Sequence, residues 1–251
     1  MSANTSPEAN REEIRLALRE MRRSYGEKGL ETSDLPANPF LLFRQWLHDA
    51  ANNQYIVEAN AMVLSTFPDP SSERVTGGAP ISRTVLLKDL EEHSLTFFSN
   101  YASRKAHNIE SNNRVALLFP WYAMERQVYF AGSVERIDEA ESDAYFATRP
   151  YGSQIGAWAS HQSQPLSSRE ELEDRYKELC EKFPEGSTVP RPEHWGGFRV
   201  TPHLVEFWQG RYSRLHDRIL YALNSETEEF STSSFLQDHS MMNWSITRLN
   251  P

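Results

Sequence analysis

The sequence predicts a mainly β protein, in which an antiparallel barrel carries peripheral helices. Three observations support this fold class: many short β-rich segments follow one another, turn residues separate them, and regular βαβ alternation is absent. The chain has 251 residues, 39% of them hydrophobic, which is enough for a sizeable core. No internal repeat or domain linker is evident. We therefore expect a mobile N-terminal arm with a short helix over residues 1–37 and one domain over residues 38–251.

One helix is predicted within the arm, and a second is predicted immediately after it. Residues 1–11 are polar and are expected to be disordered, whereas apolar residues recur at helical spacing over 12–23. Asn38 followed by Pro39 is typical of an N-cap and a first-turn proline, which predicts a second helix.

The remaining chain is rich in strand signals. Runs of β-branched, aromatic and aliphatic residues predict strands at 61–67, 81–88, 94–99, 114–121, 126–137, 196–200, 203–210, 217–223 and 244–249. A short helix is predicted over 103–112, and capping boxes that begin at Asp138 and Ser168 predict two more. On the helix after Ser168 we expect a buried stripe, formed by Leu172, Tyr176, Leu179 and Phe183. Turn-rich or polar composition predicts loops over 68–80 and 224–242.

Composition and missing motifs exclude several function classes. A net charge of −9 makes a general nucleic-acid binder improbable, because phosphate neutralisation dominates such binding. One cysteine permits neither an intrachain disulfide nor a thiolate zinc cluster. No secretory signal and no run of ~18 apolar residues is present, so we expect a cytoplasmic protein. The histidine spacing predicts no metal site, and both usual phosphate-binding glycine loops are absent.

The segment FWQGRYSRLHDR (207–218) carries the strongest functional signal. Arg214, His216 and Arg218 stand at alternate positions, and in an extended strand they would share one face. Because stacked cations repel each other, an anion or an electron-rich ring would explain the arrangement. Nearby Trp208 and Trp195 could supply a flat apolar wall.

A structural explanation for the same segment stays open. Asp217, Glu206 or solvent could satisfy these charges on an exposed hairpin, as structural ion pairs often do.

Further groups of basic residues lie along this acidic chain. Arg83 and Lys88 have opposite parity on one predicted strand, so they would face opposite sides. Other cations and hydroxyls stand at a helix start (103–105), around Pro150 (149–153) and in a loop (162–163). Together these groups of residues predict two phosphorylated ligands, or one long ligand.

Eleven blocks of the chain resemble a known family. They are DLPANPF (34–40), RTVLLK (83–88), FFSN (97–100), SRKAHNIESN (103–112), RVALLFPW (114–121), ERQV (125–128), YFATRP (145–150), SQIGAW (153–158), WGGFRV (195–200), EFWQG (206–210) and RLHDR (214–218). In this order they resemble pyridoxine (pyridoxamine) 5′-phosphate oxidase. The resemblance implies an FMN-binding split β-barrel, a homodimer with shared active sites. Its implied reaction oxidises pyridoxine or pyridoxamine 5′-phosphate to pyridoxal 5′-phosphate with O2, releasing H2O2, and NH3 from the amine.

The same resemblance implies roles for individual residues. Those expected to bind FMN are Arg83, Thr84, Val85, Leu86, Leu87, Lys88, Phe98, Ser99, Arg104, Lys105, Gln127, Gln162, Ser163, Trp208 and Arg218. Those expected to bind the substrate are Arg22, Arg23, Ser24, Tyr25, Lys88, Tyr145, Arg149, Ser153, Arg214, Leu215 and His216. The implied catalytic residues are Arg214, His216 and Arg218. His216 could act as a general base or only orient the substrate's ring hydroxyl.

Two other functions remain open. The chain could be a related split-barrel flavin reductase that uses another electron donor such as NADPH. It could also be a non-catalytic carrier that binds FMN or pyridoxal phosphate and passes it on.

Overall fold

A computed structural model describes residues 7–21, 24–68, 77–224 and 243–251. Within these ranges eight strands form one sheet, and every pairing is antiparallel. The strands are β1 Ala61–Thr66, β2 Ile81–Leu90, β3 Leu95–Asn100, β4 Arg114–Trp121, β5 Arg126–Arg136, β6 Trp195–Gln209, β7 Asp217–Leu223 and β8 Trp244–Leu249.

The sheet closes into a barrel. Its strand order is β3-β2-β1-β4-β5-β6, and β3 pairs with β6 to complete a ring of six strands. Strands β7 and β8 extend the sheet outward from β6. The predicted mainly β fold, an antiparallel barrel with peripheral helices, is confirmed. Closure leaves the six barrel strands without a free edge, so their backbone groups are paired on both sides.

Strand β6 corrects one prediction. We expected separate strands at 196–200 and 203–210, whereas the structure has one strand of 15 residues. It pairs with β3 through its first half and with β7 through its second half, while β5 runs beside both halves. Pro202 lies opposite Gly132, where the register shifts, so the missing proline N–H falls at an irregularity of the ladder.

Six α-helices surround the barrel in the described ranges. They are α1 Pro7–Glu20, α2 Pro39–Ala51, α3 Arg104–Ser111, α4 Glu139–Ala147, α5 Tyr151–Ala159 and α6 Arg169–Lys182. The predicted caps form: Asn38 accepts from the Phe40 amide at 2.9 Å, and Asp138 accepts from the Glu141 amide at 2.8 Å. Helix α1 begins earlier than its predicted start and ends at Glu20. Helix α5 was not predicted.

Helix α2 fills the barrel interior with aromatic side chains. Phe43 lies 4.9 Å from Phe119 and 4.8 Å from Phe130 between ring centroids, and all three are fully buried. Trp46 packs edge-on against Phe207 at 5.2 Å. Such contacts combine large apolar burial with favourable ring geometry, so α2 anchors the strands that carry the site.

A second apolar cluster joins helices α4, α5 and α6 to the start of β6. Phe146, Ile155 and Trp195 are its buried centre. The predicted stripe on α6 faces this cluster, but its residues are half-buried rather than buried, and none on α6 is fully buried. The helix therefore covers the cluster from outside. No helix in the described part of the chain is long and apolar enough to cross a membrane.

Candidate active site

Arg83 is held firmly by the barrel strands. Its Nη1 donates to the Leu64 carbonyl at 3.0 Å and to Thr66 Oγ1 at 2.9 Å, across the β1–β2 pair. Asn108 of α3 donates to the same Thr66 oxygen at 2.9 Å. These bonds direct the guanidinium toward the start of α3, and burial followed by repulsion from Arg104 lowers the pKa of Arg83.

Lys105 stands beside Arg83 in the first turn of α3. Its Nζ donates to Gln162 Oε1 at 2.5 Å and to Ser103 Oγ at 3.3 Å. Ser99 of β3 donates to the same Gln162 oxygen at 3.4 Å. Burial, and secondarily the charge of Arg83, lower the pKa of Lys105 to about 8. Neutral acceptors therefore surround this cation.

Arg83, Arg104 and Lys105 are here called the Arg83 cluster. Among the described residues no carboxylate forms an ion pair with any of the three. Close like charges are unfavourable without a counterion, and the start of a helix adds positive potential. The cluster is therefore suited to a doubly charged anion such as a phosphate monoester.

A half-buried cation, Arg149, lies against an aromatic stack. Phe98 stacks on Tyr145 at 3.8 Å and on Trp195 at 5.3 Å, with both pairs inclined by 12°. The Arg149 guanidinium lies 4.5 Å from the Trp195 ring centroid. Its Nη1 is buried and has no hydrogen-bond partner among the described residues, and burial lowers the Arg149 pKa. An unsatisfied buried donor of this kind favours an anionic ligand.

A row of side chains crosses three adjacent strands. Gln127 of β5 pairs with Trp208 of β6, which pairs with Arg218 of β7. With Tyr129, Glu206, Leu118 and Pro251 they line a cavity of about 280 Å³. Three of the residues expected to bind FMN thus share one cavity.

Arg218 has a partner within that cavity. Its Nε and Nη2 donate to the two Glu206 carboxylate oxygens at 2.8 and 3.1 Å. This fork pair raises the pKa of Arg218, chiefly through the hydrogen bond. Glu206 therefore fixes the guanidinium within the cavity, as one of the two explanations of the sequence pattern anticipated.

The turn before β7 contradicts the proposal that Arg214, His216 and Arg218 share one strand face. Arg214 lies in a 3₁₀ turn, Tyr212–Arg214, and the strand begins only at Asp217. Ser213 and Arg214 have φ of 53° and 62°, in the left-handed region, which breaks the alternation of an extended chain. Arg214, His216 and Arg218 therefore do not stand on one strand face, and Arg214 is exposed.

His216 is held among aromatic rings at the end of this turn. Its ring centroid lies 4.7 Å from that of Trp208 and 5.4 Å from that of Tyr25. The Arg211 amide donates to His216 Nδ1 at 3.0 Å. Nδ1 is therefore an acceptor in this arrangement, which leaves Nε2 as the protonated nitrogen of the neutral ring.

The other expected site residues are more exposed. Lys88, Ser153, Ser163 and Leu215 are exposed, and Ser24 adjoins Tyr25 on the arm. The segment 84–87 continues β2 beyond Arg83, up to a register shift that begins at Leu87. Arg22 and Arg23 lie outside the described residues.

The expected site forms two separate groups within one protomer. The first group lies around β3 and contains the Arg83 cluster and Arg149. Ser99 of β3 contacts Gln162 beside the Arg83 cluster, and Phe98 of β3 stacks on Tyr145 beside Arg149. Between described residues, no hydrogen bond, ion pair or ring contact joins the Arg83 cluster or Arg149 to the Gln127–Trp208–Arg218 row.

Sequence reasoning missed the residues that support this site. Thr66 and Asn108 position Arg83, and Tyr129 lines the cavity. The period of two on β5 could have revealed Tyr129, which follows Gln127 by two positions. No local pattern indicates that Asn108 reaches Thr66, because 42 residues separate them.

Two family models match most of the chain. Residues 48–182 match the family described as pyridoxamine 5′-phosphate oxidase. Residues 195–251 match the pyridoxine 5′-phosphate oxidase C-terminal dimerisation region. The chain belongs to the pyridoxine/pyridoxamine 5′-phosphate oxidase family. The resemblance found in the sequence is thereby confirmed.

Relatives named pyridoxine/pyridoxamine 5′-phosphate oxidase are similar over nearly their whole length. One from Rubrobacter xylanophilus is 51% identical over 84% of this chain and 93% of its own. One from a Nostoc species is 44% identical over 93% of this chain and 98% of its own.

Two solved structures are similar to this chain in fold. PhzG from Burkholderia lata, solved with tetrahydrophenazine-1-carboxylic acid, has a TM-score of 0.74 and 26% identity, covering 91% of this chain and 100% of its own. A pyridoxamine 5′-phosphate oxidase-related, FMN-binding protein from Nostoc punctiforme has a TM-score of 0.59 and 18% identity, covering 84% of this chain and 95% of its own. The second likeness shows the fold alone.

Proposed function

We propose that this protein is an FMN-dependent oxidase that converts pyridoxine or pyridoxamine 5′-phosphate to pyridoxal 5′-phosphate. O2 is the acceptor, H2O2 is released, and the amine substrate also yields NH3. The observation that carries the proposal is the presence of two separate cationic groups, the Arg83 cluster and Arg149, for which the described residues supply no carboxylate partner. A flavin phosphate and a substrate phosphate together require two such groups.

The Arg83 cluster fits the phosphate of FMN. Three cations and the Ser99 and Gln162 side chains offer more donors than the described chain uses there. When bound, FMN supplies the electron-accepting chemistry that no side chain has. The chain's part is to hold the phosphate at Arg83, Arg104 and Lys105, with residues 84–88 alongside the cofactor.

Arg149 fits the phosphate of the substrate. Its buried Nη1 has no hydrogen-bond partner in the described part of the chain, and the neighbouring Tyr145 could add a second donor through its hydroxyl. Lys88 and Ser153 would complete the pocket from exposed positions. Because this phosphate does not react, these residues would contribute binding and orientation rather than a chemical step.

The turn residues would cover the substrate ring. His216 presents Nε2 as a donor suited to the ring oxygen, since Nδ1 is already bonded to the Arg211 amide. The positive charges of Arg214 and Arg218 would offset negative charge that develops on the ring. This division of roles favours orientation by His216 over a general-base role.

Homodimerisation would bring the two groups of site residues together. The match of residues 195–251 to a dimerisation region supports the dimer. The Gln127–Trp208–Arg218 row of one protomer would then complete the Arg83 cluster of its partner.

A direct test uses anaerobic reduction. The purified protein is expected to carry FMN, to lose flavin absorbance when pyridoxine 5′-phosphate is added without air, and to regain it with H2O2 when air is admitted. Reduction by NADPH but not by the phosphorylated vitamin would indicate a reductase instead. Ligand binding with neither reduction nor O2 consumption would indicate a carrier.

The likeness to PhzG motivates a second candidate substrate. PhzG was solved in complex with tetrahydrophenazine-1-carboxylic acid, an acid that lacks a phosphate. The same anaerobic assay with this acid distinguishes the two substrates. The proposal predicts faster reduction by pyridoxine 5′-phosphate, because Arg149 and its neighbours favour a doubly charged group.

A further inference from the structure

Asp217 links three segments that are distant in sequence. It is the first residue of β7 and 6% exposed. Its Oδ2 accepts from the Leu30 amide of the arm at 3.0 Å and lies 3.6 Å from Arg211 Nη1. Its Oδ1 pairs with Arg248 of β8. One buried carboxylate thus joins the arm, the turn before β7 and the last strand.

The arm is held at the same point by other contacts. Arg248 Nη2 donates to the Leu30 carbonyl and, at 3.2 Å, to Thr32 Oγ1, so both polar groups of the Leu30 backbone are engaged. A Cβ at Gly29 would lie 2.9 Å from Asp217 Oδ2, closer than real contacts allow. The arm therefore lies directly on the carboxylate, and only glycine fits without a shift.

The part of the arm just before this attachment reaches the candidate site. The Gly26 carbonyl accepts from the Tyr212 amide at 3.2 Å, and the Gly26 amide donates to Glu125 at 2.9 Å. The Tyr25 ring packs edge-on against Trp208 at 5.8 Å and against His216 at 5.4 Å. Among the described residues, the hydrogen bonds and ion pairs of the Asp217 carboxylate go to Leu30, Arg211 and Arg248 and not to these rings.

We propose that Asp217 is a positioning residue that holds the Tyr25 arm, and with it the 211–216 turn, over the substrate site. Neutralising the carboxylate would leave Arg211 and Arg248 facing each other with no anion between them, while the Leu30 amide would lose a charged acceptor. The arm would then detach more often, and Tyr25 would leave the ring pair at Trp208 and His216. The kinetic consequence rests on the proposed function, whereas the arm's attachment does not.

The first test measures the arm without any substrate. In the full-length FMN-loaded protein, hydrogen exchange of the 24–32 segment is compared for wild type and Asp217→Asn. We expect exchange at least tenfold faster in the variant, with unchanged FMN content. Asp174→Asn is the matched control, because Asp174 forms an exposed ion pair on α6 and should leave the segment unchanged. Equal exchange in Asp217→Asn and wild type would overturn the proposal.

A second variant covers the case in which Asp217→Asn does not fold. Gly29→Ala keeps the carboxylate but places a methyl group against it, so the same faster exchange is expected. If the alanine variant exchanges like wild type, the arm is not held at this point and the proposal fails.

The kinetic test separates positioning from general destabilisation. With pyridoxine 5′-phosphate, Asp217→Asn is expected to raise KM five- to tenfold and to change kcat less than twofold. In a Tyr25→Ala background the same substitution should have no further effect, because the arm's contact is already lost. Independent effects that multiply in the double variant would refute action through Tyr25. If no variant oxidises the substrate, the proposed function fails, and the exchange result still decides the role of Asp217.

Discussion

Lys105 offers the sharpest test of the phosphate pocket. Burial and the neighbouring Arg83 lower its pKa to about 8 in the protein without ligand. A phosphate dianion placed against the ammonium group would favour the charged form and raise that pKa toward or above its ordinary value. Binding of FMN and protonation of Lys105 are therefore coupled.

This coupling determines the sign and size of the pH dependence of FMN affinity. Below pH 8 Lys105 is charged before and after binding, so FMN affinity should not depend on its titration. Above pH 8 the free protein loses the proton that the complex keeps, and the Kd should rise about tenfold per pH unit. Each pH unit above pH 8 corresponds to a loss of about 1.4 kcal/mol of binding free energy. Because only the unit between pH 8 and pH 9 contributes, FMN affinity at pH 9 should be about tenfold below that at pH 7.

The assay is the quenching of FMN fluorescence by the protein stripped of flavin, titrated at several values between pH 7 and pH 9.5. Lys105→Met should bind FMN more weakly at pH 7 and show no slope above pH 8. Lys105→Arg is the matched control, because it keeps the charge and does not titrate in this range. A slope of equal steepness in wild type and Lys105→Met would refute the reasoning.

Three further predictions concern the other charged groups. Arg149→Ala should raise KM for pyridoxine 5′-phosphate at least tenfold with little change in kcat, and steady-state kinetics with an unchanged KM would contradict the phosphate role. His216→Gln keeps a donor near the position of Nε2, so its kcat–pH profile should keep its wild-type shape. Loss of the acidic limb in that variant would show that His216 acts as a base. Glu206→Gln should weaken FMN binding several-fold, because the Arg218 guanidinium loses its fork-shaped acceptor; equal Kd values in fluorescence titrations would exclude this positioning effect.

Local signals made much of the fold predictable. The Asn38, Asp138 and Ser168 caps were correct because capping depends on a few neighbouring residues. Most strand positions were correct for the same reason, since period-two patterns and turn residues lie within short windows. The antiparallel barrel was predicted, but its closure through β3 and β6 was not, because the pairing joins segments about 100 residues apart.

The wrong predictions have tertiary causes. The α5 segment contains Gly152 and Gly156, which weaken a helical pattern, and its stability comes from burying Ile155 and Ala157 in the second cluster. The shared face proposed for Arg214, His216 and Arg218 fails because Ser213 and Arg214 adopt left-handed conformations that their residue types do not reveal.

The sequence suggested residues for the candidate site, but it did not suggest how they group in space. Opposite parity on β2 separated Arg83 from Lys88, yet it could not show that Arg83 lies beside Lys105 of a later helix. The fork between Glu206 and Arg218 was recognised as one possible outcome. Its presence depends on the β6–β7 register, which places Glu206 opposite Leu220 and Trp208 opposite Arg218.

The distribution of ion pairs explains why the unpaired cations point to ligands. Arg126 is as buried as a core residue, and it is satisfied by Asp49 at 2.8 Å and Gln209 at 3.0 Å. The chain thus supplies a carboxylate where a buried cation serves the fold. At the Arg83 cluster and at Arg149 it supplies none among the described residues, although acidic residues outnumber basic ones, 35 to 26. Arg83, Lys105 and Arg149 are half-buried. Because partly buried charge without a counter-charge is unfavourable, the proposed binding of an anion at each group would stabilise it.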